Sequence, residues 1–439
     1  MPAGAERGER DLPRLVGDEP EVRGERLSRH LRDRQPPTAR LALERPSKLI
    51  RKGDGGALHM RILASQHTRR GGARGIQVPV ARLRRSMASA EHAGARISVV
   101  CVGAGWVTRQ RHIPALRAED RVDVVGVVDK HPERAEALAR ANRLPNWGRR
   151  LDEGWLERVQ AVMVGTPPLE HGPVVEAALE RDLHCLCEKP LAFPASSAAG
   201  LVQAAGERGR VLAVVHNFQF SRAGARLFSL VEGGDLGAVS AVYGFQLSNP
   251  RRRLPTWYHA LPGGLFLDEA PHLLYLMRRL LGRLEPRTVD GRLDGTAIRD
   301  LSATFEHDSI WASLTMSFGA SVSEWQLVVV AERGVAALDV FRDVLVVLPN
   351  DGAHRARDIL RSSARMVGGH IAGVGSSGAR LAGRRLLYGN DEVVHRFVDA
   401  VDGQADRLRW IAGEDGLAVV QCLETILQML GVEPLAATA

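Results

Sequence analysis

Cysteine is scarce, with 4 residues in a chain of 439, and two of them, Cys185 and Cys187, form a C-x-C motif with no His or Cys cluster beside it. Such usage argues against a disulfide framework and against a zinc site, so all four read as small, buried side chains. Nor does any run reach the roughly eighteen uncharged apolar residues that span a bilayer. The first thirty residues hold Arg and Glu where a secretory signal needs an apolar core. Together these absences make the cytoplasm the expected location and leave no membrane partner. Lysine is rare as well: beyond residue 86 only Lys130 and Lys189 occur, and every other basic residue there is Arg. No internal repeat is present.

The chain does have enough apolar mass for two ordinary cores, with 45% hydrophobic and 25% charged residues. Its formal charge of +8 is unevenly placed. Residues 1–86 carry 20 Lys and Arg against 10 Asp and Glu, and the remainder carries 39 against 41. A basic leader on a near-neutral body argues against nucleic acid as a partner, because phosphate binding needs positive charge on a folded face.

Residues 1–95 show neither helical nor strand periodicity and scatter Arg among Gly, Pro and acids, so they cannot offset their own ordering entropy. Three readings compete: a disordered basic tail, a targeting leader, or translated sequence upstream of a start at Met87 or Met60. The last is favoured, since Met87 stands just before the first β-branched run. Arg69-Arg70 and Arg84-Arg85 lack the apolar segment of a twin-arginine signal, and 10 acidic groups do not suit a transit peptide.

From Ile97 onward, short β-branched runs (97–102, 122–129, 160–164, 183–187, 211–215) alternate with Ala- and Leu-rich helical stretches (131–143, 168–181, 194–208). This alternation predicts an α/β fold with a doubly wound parallel sheet over residues 96–217. Beyond Phe220 a helix or two precede consecutive strands at 239–247, 301–305, 310–318, 325–331, 335–341 and 344–348, which predicts a mainly antiparallel sheet in a second domain, 218–439. Residues 351–390 have seven Gly between Gly368 and Gly389 and read as an irregular or mobile insertion before closing helices at 392–401 and 416–430.

The first strand runs into Gly103-Ala104-Gly105-Trp106-Val107-Thr108, a glycine turn lacking its third glycine. Such a turn lets backbone approach a pyrophosphate at a helix N-terminus. The second strand ends at Asp129, 24 residues past Gly105, where a carboxylate accepts from adenosine ribose hydroxyls. Asp129 repels a 2′-phosphate, so NAD is the favoured cofactor, while Lys130 leaves NADP open. Asp129 acting only as a cap for the next helix is the other reading.

Glu188-Lys189-Pro190 follows the fourth main run, and Thr166-Pro167-Pro168 follows the third. Ligands sit at strand C-termini in open parallel sheets, and a lysine there can bond a reacting oxygen and tune its acidity. An ordinary surface cation is the alternative. Further on, Gly263-Gly264 leads to Asp268 and His272, four apart at the head of a helix. A carboxylate beside an imidazole orients it for proton transfer, although such pairs also serve as local bonds or caps. The two glycines suggest backbone packed close to a ligand.

Taken in order, the glycine turn, Asp129, Thr166-Pro167-Pro168 with His171, Glu188-Lys189-Pro190, His216-Asn217-Phe218-Gln219-Phe220, Gly263 to His272 and Gly413-Glu414-Asp415-Gly416 resemble one family. It is the glucose-fructose oxidoreductase, inositol dehydrogenase and rhizopine-catabolism (Gfo/Idh/MocA) family. The resemblance implies a Rossmann NAD(P)-binding domain and a C-terminal α/β domain whose open sheet often makes a homodimer or tetramer. It implies oxidation of a secondary alcohol, or reduction of the ketone, on a sugar, cyclitol or related polyol. On this chain it places Gly103, Gly105, Trp106, Val107, Asp129, Thr166, Pro167, His171, Glu188 and Lys189 around the cofactor. Lys189 corresponds to the residue bonding the reacting oxygen, His272 to the general acid/base, Asp268 to its partner and a substrate contact, and Asn217 to a residue lining the substrate cleft.

Three positions depart from the family pattern. Thr108 replaces a small residue in the turn, Ala270 replaces Gly, and Tyr275 stands three after His272 where Asp is common. Tyr275 with Phe266 points to a less polar or bulkier substrate than a free sugar. Rival readings are a cofactor-binding regulatory protein without turnover and a lyase or glycosidase using transient oxidation.

Overall fold

The computed structural model describes residues 96–252, 254–350, 355–383 and 388–433. The leader and its possible start sites at Met60 and Met87 lie outside them.

Six strands form a wholly parallel sheet: β1 (Ile97–Val102), β2 (Val122–Val128), β3 (Asn146–Gly148), β4 (Ala161–Val164), β5 (His184–Cys187) and β6 (Leu212–Val214). Their order is β3-β2-β1-β4-β5-β6, and the progression of strand order reverses between β1 and β4. Both faces of each central strand are apolar, as a sheet covered on both sides requires. Val99 and Cys101 of β1 enter a core with helices α1 (Ile113–Ala118) and α2 (Pro132–Asn142). Val100 and Val102 enter another with α3 (His171–Leu179) and α4 (Ala195–Arg208). Strand β3, only three residues long, gives no periodic signal and is missing from the sequence-based expectation.

After α5 (Arg222–Glu232) comes β7 (Val239–Leu247), then α6 (Leu265–Leu281). The strands β8 (Pro286–Asp294), β9 (Ala297–His307), β10 (Ile310–Ser317), β11 (Glu324–Ala331), β12 (Gly334–Asp339) and β13 (Val344–Pro349) follow. They build a second sheet in the order β13-β12-β11-β7-β10-β9-β8, antiparallel except where β7 meets β10. Its inner face packs on α5, α6 and α9 (Gly413–Met429). On its outer face Tyr243, Phe245 and Trp311 stand exposed.

The expected irregular insertion at 351–390 is corrected. Residues Ala356–Ala382 form a 27-residue helix, α7. Each helical glycine costs about 1 kcal/mol relative to alanine, and two of those in α7, Gly369 and Gly373, face β13. A Cβ on Gly373 would lie 2.6 Å from Val344 Cγ2, so α7 reaches β13 only because that position is bare. Next, α8 (Asn390–Val401) returns to the parallel sheet, where Val393, Val394, Phe397 and Val398 join the core of α1 and α2. All four cysteines are free and buried. Among the described residues no helix is long and apolar enough to cross a membrane, and no group of three or more His, Cys, Asp or Glu is placed to hold a metal ion.

Candidate active site

The crevice opens beyond the C-terminal ends of β1 and β4, the point where strand order reverses and where open α/β sheets bind ligands. Gly103 has φ +94°, and a Cβ there would lie 2.8 Å from Gly165 O, so only glycine allows the two loops to meet. A Cβ on Gly105 would meet nothing within 4 Å. Beside it lies a cavity of about 390 Å³ lined by Ala104, Gly105, Trp106, Arg109 and Gln110.

Thr108 donates its hydroxyl to Gly103 O at 2.6 Å, and the helix opens with a π-type turn over Thr108–His112. A hydroxyl that engages a backbone carbonyl competes with regular helical bonding. The departure from the family's small residue therefore locks the turn from below. Arg109, which sequence reasoning did not single out, lines the cavity as a cation suited to a diphosphate. Its place after a glycine turn was the available signal.

Asp129 accepts from Ala104 N at 2.7 Å through Oδ2 and from His131 N at 2.9 Å through Oδ1. It ties β2 to the glycine turn and braces the start of α2 at once. Lys130 pairs with Glu170 at 2.5 Å. Replacing Asp129 with alanine is expected to weaken NADH binding about tenfold, the effect of losing one charge-assisted hydrogen bond. Titration of NADH fluorescence checks this; an unchanged Kd defeats the assignment.

Thr166 Oγ1 is buried with no hydrogen-bond partner. A bare glycine cradle, an adjoining cavity with a cation and an orphaned hydroxyl at the next strand exit fit a dinucleotide. His171 does not fit the expectation of a cofactor contact. Its ring is buried, with Nδ1 2.7 Å from Pro190 O and Nε2 2.9 Å from Thr166 O. It is a strut between two strand exits. Glu188 is likewise turned to protein groups: Oε1 meets His112 Nε2 at 2.9 Å, and Oε2 accepts from Lys189 N at 3.1 Å. Burial opposes its ionisation, but the His112 bond and the Lys189 charge outweigh that and hold its carboxyl below the usual range.

Lys189 Nζ donates to Asp268 Oδ1 at 2.6 Å and to Asp268 O at 2.8 Å. The strand-exit amine and the head of α6 thus meet across 79 residues of sequence. His272 stands one turn further along the same helix. Its half-buried ring packs against Phe218, with centroids 5.0 Å apart, and Trp325, at 5.1 Å. Burial, then the nearby Lys189 and His216, push its pKa well below the ordinary imidazole value.

The expected Asp268–His272 bond is corrected, because Asp268 gives its carboxylate to Lys189 and His272 Nδ1 instead faces Tyr275 Oη at 3.3 Å. An i, i+4 spacing fixes a shared face, not a bond. The glycines before α6 also serve a different purpose from the one expected. A Cβ on Gly263 would lie 2.8 Å from Leu427 Cδ2, and one on Gly264 would lie 3.1 Å from Ala297 Cβ. The close neighbours are α9 and β9, not a ligand. Phe266, Ala270 and Tyr275 are buried, so they form no pocket wall and the inference of a bulkier substrate falls. Asn217 is also buried, and its Nδ2 donates to Tyr388 O at 3.0 Å.

Two supports have partners that sequence reasoning did not foresee. Glu269, buried beside Asp268, accepts from Gln246 Nε2 and Ser248 Oγ at 2.5 Å each and pairs with Arg252. Arg251-Arg252-Arg253 was a visible run, but its partner was not. Asp415 of the Gly-Glu-Asp-Gly stretch accepts from Arg278 Nη2 at 2.7 Å and so pins α6 to α9.

Two family models match just over half of the chain: an oxidoreductase family, NAD-binding Rossmann fold model (GFO_IDH_MocA) over residues 97–216 and a GFO/IDH/MocA C-terminal domain model over 225–337. The chain belongs to the Gfo/Idh/MocA family. Members with names include a dTDP-3,4-didehydro-2,6-dideoxy-alpha-D-glucose 3-reductase of Streptomyces violaceoruber, 34% identical over 186 residues. That match covers 41% of this chain and 53% of the relative, about half its length. A D-xylose 1-dehydrogenase [NADP(+)] of Haloarcula marismortui is 27% identical over 33% of this chain and 41% of its own.

Among solved Gfo/Idh/MocA-like structures, GenD2 from gentamicin A biosynthesis, in complex with NAD, superposes with a TM-score of 0.61 at 21% identity. It covers 79% of this chain and 98% of its own. A myo-inositol dehydrogenase described as putative in its title, from Sinorhizobium meliloti 1021, gives 0.59 at 20% identity, over 76% and 97%. The matched models make residues 97–216 the NAD-binding Rossmann domain of an oxidoreductase family.

Proposed function

We propose that this enzyme moves a hydride between a nicotinamide and the secondary alcohol or ketone of a sugar, cyclitol or related polyol. The observation that carries the reading is the union of Lys189 with Asp268 at 2.6 Å, one helical turn from His272. The bound nicotinamide supplies the hydride acceptor or donor. Asp268 aims the Lys189 amine through two hydrogen bonds, so the amine can donate to the reacting oxygen. His272, held neutral, takes the hydroxyl proton as the carbinol carbon loses its hydride, and returns it in the reverse direction. Lys189 stabilises the alkoxide character that develops on the oxygen, an interaction stronger in the transition state than before it. NAD is the preferred cofactor: Asp129 repels a 2′-phosphate, and Lys130 is already neutralised by Glu170.

The relatives' names include nucleotide-linked sugars and free D-xylose. The test is therefore a screen of free sugars, cyclitols and dTDP- and UDP-linked sugars, reading nicotinamide absorbance. No absorbance change with any of them, in either direction, defeats the reading.

The enzyme assembles with a second copy through the outer face of its second sheet. Exposed Tyr243, Phe245 and Trp311 form an aromatic strip there, and Asp290 and Glu306 lie on the same face along β8 and β9. A two-fold axis parallel to the strands brings the exposed Arg357, Arg361 and Arg365 of α7 toward those acids on the other copy. Sedimentation should find a dimer or larger species that Trp311→Glu with Phe245→Glu reduces to monomer. A native protein that is monomeric at all concentrations sinks this assembly.

A further inference from the structure

We propose that Tyr275 decides which nitrogen of His272 carries the proton, holding the ring with Nδ1 protonated and Nε2 bare. The role this gives Nε2 rests on the oxidoreductase reading above, whereas the tautomer itself rests on hydrogen-bond accounting.

A tyrosine hydroxyl has one proton to donate and lone pairs to accept with. Three groups surround Tyr275 Oη: Phe218 N at 3.0 Å, His272 Nδ1 at 3.3 Å and Asn217 Oδ1 at 3.4 Å. The Phe218 amide can only donate. Asn217 is oriented by its own Nδ2, which donates to Tyr388 O at 3.0 Å, so its Oδ1 faces Tyr275 and can only accept. The single hydroxyl proton therefore goes to Asn217 Oδ1, and the remaining lone pair accepts from His272 Nδ1–H. In the opposite arrangement Asn217 Oδ1 loses its donor inside a buried cluster, at the cost of an unsatisfied polar atom.

The tyrosine ring cannot swing to another arrangement easily. It is stacked on His216, with centroids 4.5 Å apart and planes 21° from parallel, and His216 Nδ1 is held 3.2 Å from Trp410 O. Tyr275 is 3% exposed, so no substrate group reaches it. It is a positioning residue.

The consequence lies in proton transfer. A neutral ring protonated at Nδ1 presents a basic Nε2 to the cleft. When Nε2 takes the hydroxyl proton, Nδ1–H already points at Tyr275, and no hydrogen bond has to be rebuilt. Preorganisation of this kind removes reorganisation from the reactive step. A neutral side chain at position 275 also leaves burial and the Lys189 ammonium as the main influences on the ring's charge.

The test uses the full chain with 15N-labelled histidine. His272 is assigned by the signal lost in His272→Gln. The wild type should show Nδ1 as the protonated, pyrrole-like nitrogen and Nε2 as the pyridine-like one. Tyr275→Phe keeps the ring stacked on His216 but removes the acceptor, and it should give mixed tautomers. Its kcat should fall about tenfold, with KM changed much less, as expected for impaired proton transfer. Asn217→Ala frees the hydroxyl proton to turn toward Nδ1, and should move protonation to Nε2. A wild-type ring protonated at Nε2, or a Tyr275→Phe spectrum identical to wild type, overturns the proposal. The spectra need no substrate, so they can fail while the polyol screen succeeds, and the reverse.

Discussion

Replacing Lys189 with alanine is expected to lower kcat by about a hundredfold or more, the size of effect that follows loss of a positioned donor or acid–base assistant. NADH affinity should change little, because the glycine turn and Asp129 lie at a different strand exit. The argument rests on how Lys189 is held: its amine is mostly buried and makes two bonds to Asp268, at 2.6 and 2.8 Å. Lys189→Arg should not restore activity. A planar guanidinium has a different reach and donor geometry from an ammonium, and the Asp268 carbonyl and carboxylate together fit a compact donor. Because Lys189→Ala leaves Asp268 without its ion-pair partner, the measurement needs a melting curve alongside the kinetics. A folded variant with undiminished turnover removes Lys189 from the mechanism.

Replacing His272 with alanine should cost a similar hundredfold in kcat and also change the pH profile. In the wild type, burial first, then the nearby Lys189 ammonium, push the imidazole pKa well below 6.5. The deprotonated ring is the base for alcohol oxidation. A lowered pKa therefore keeps that base available down through neutral pH, and the acidic limb of kcat/KM falls below the ordinary histidine range. His272→Ala should abolish this limb. Lys189→Ala should move it upward, since removing a nearby cation makes the imidazolium easier to form. A limb that stays in place in both variants assigns it to another group.

Part of this site could be read from the chain alone. The β-branched runs around Val99, Val127 and Val162 had to form strands buried on both faces, and Gly103 had to permit a close approach that a Cβ blocks at 2.8 Å. Lys189 stood out because lysine is nearly absent from the body and a strand exit is where ligands bind. The edge strand β8, with Asp290, Arg292 and Asp294 in it, carried too little apolar alternation to be seen. Helix α7 was hidden by its glycines, and the purpose of two of them, Gly369 and Gly373, appears only when β13 lies against them.

Sequence by itself determined the two kinds of sheet, the glycine turn and the candidate reactive side chains, because strand periodicity, backbone freedom and side-chain chemistry are local properties. Tertiary structure alone decided who bonds to whom. Asp268 was free to face His272 one turn away, yet an amine 79 residues earlier in the chain claims it, and a tyrosine takes the imidazole. A charged amine brought to the helix head is a stronger partner for a carboxylate than a neutral ring, and no spacing along one helix reports what another strand will deliver there.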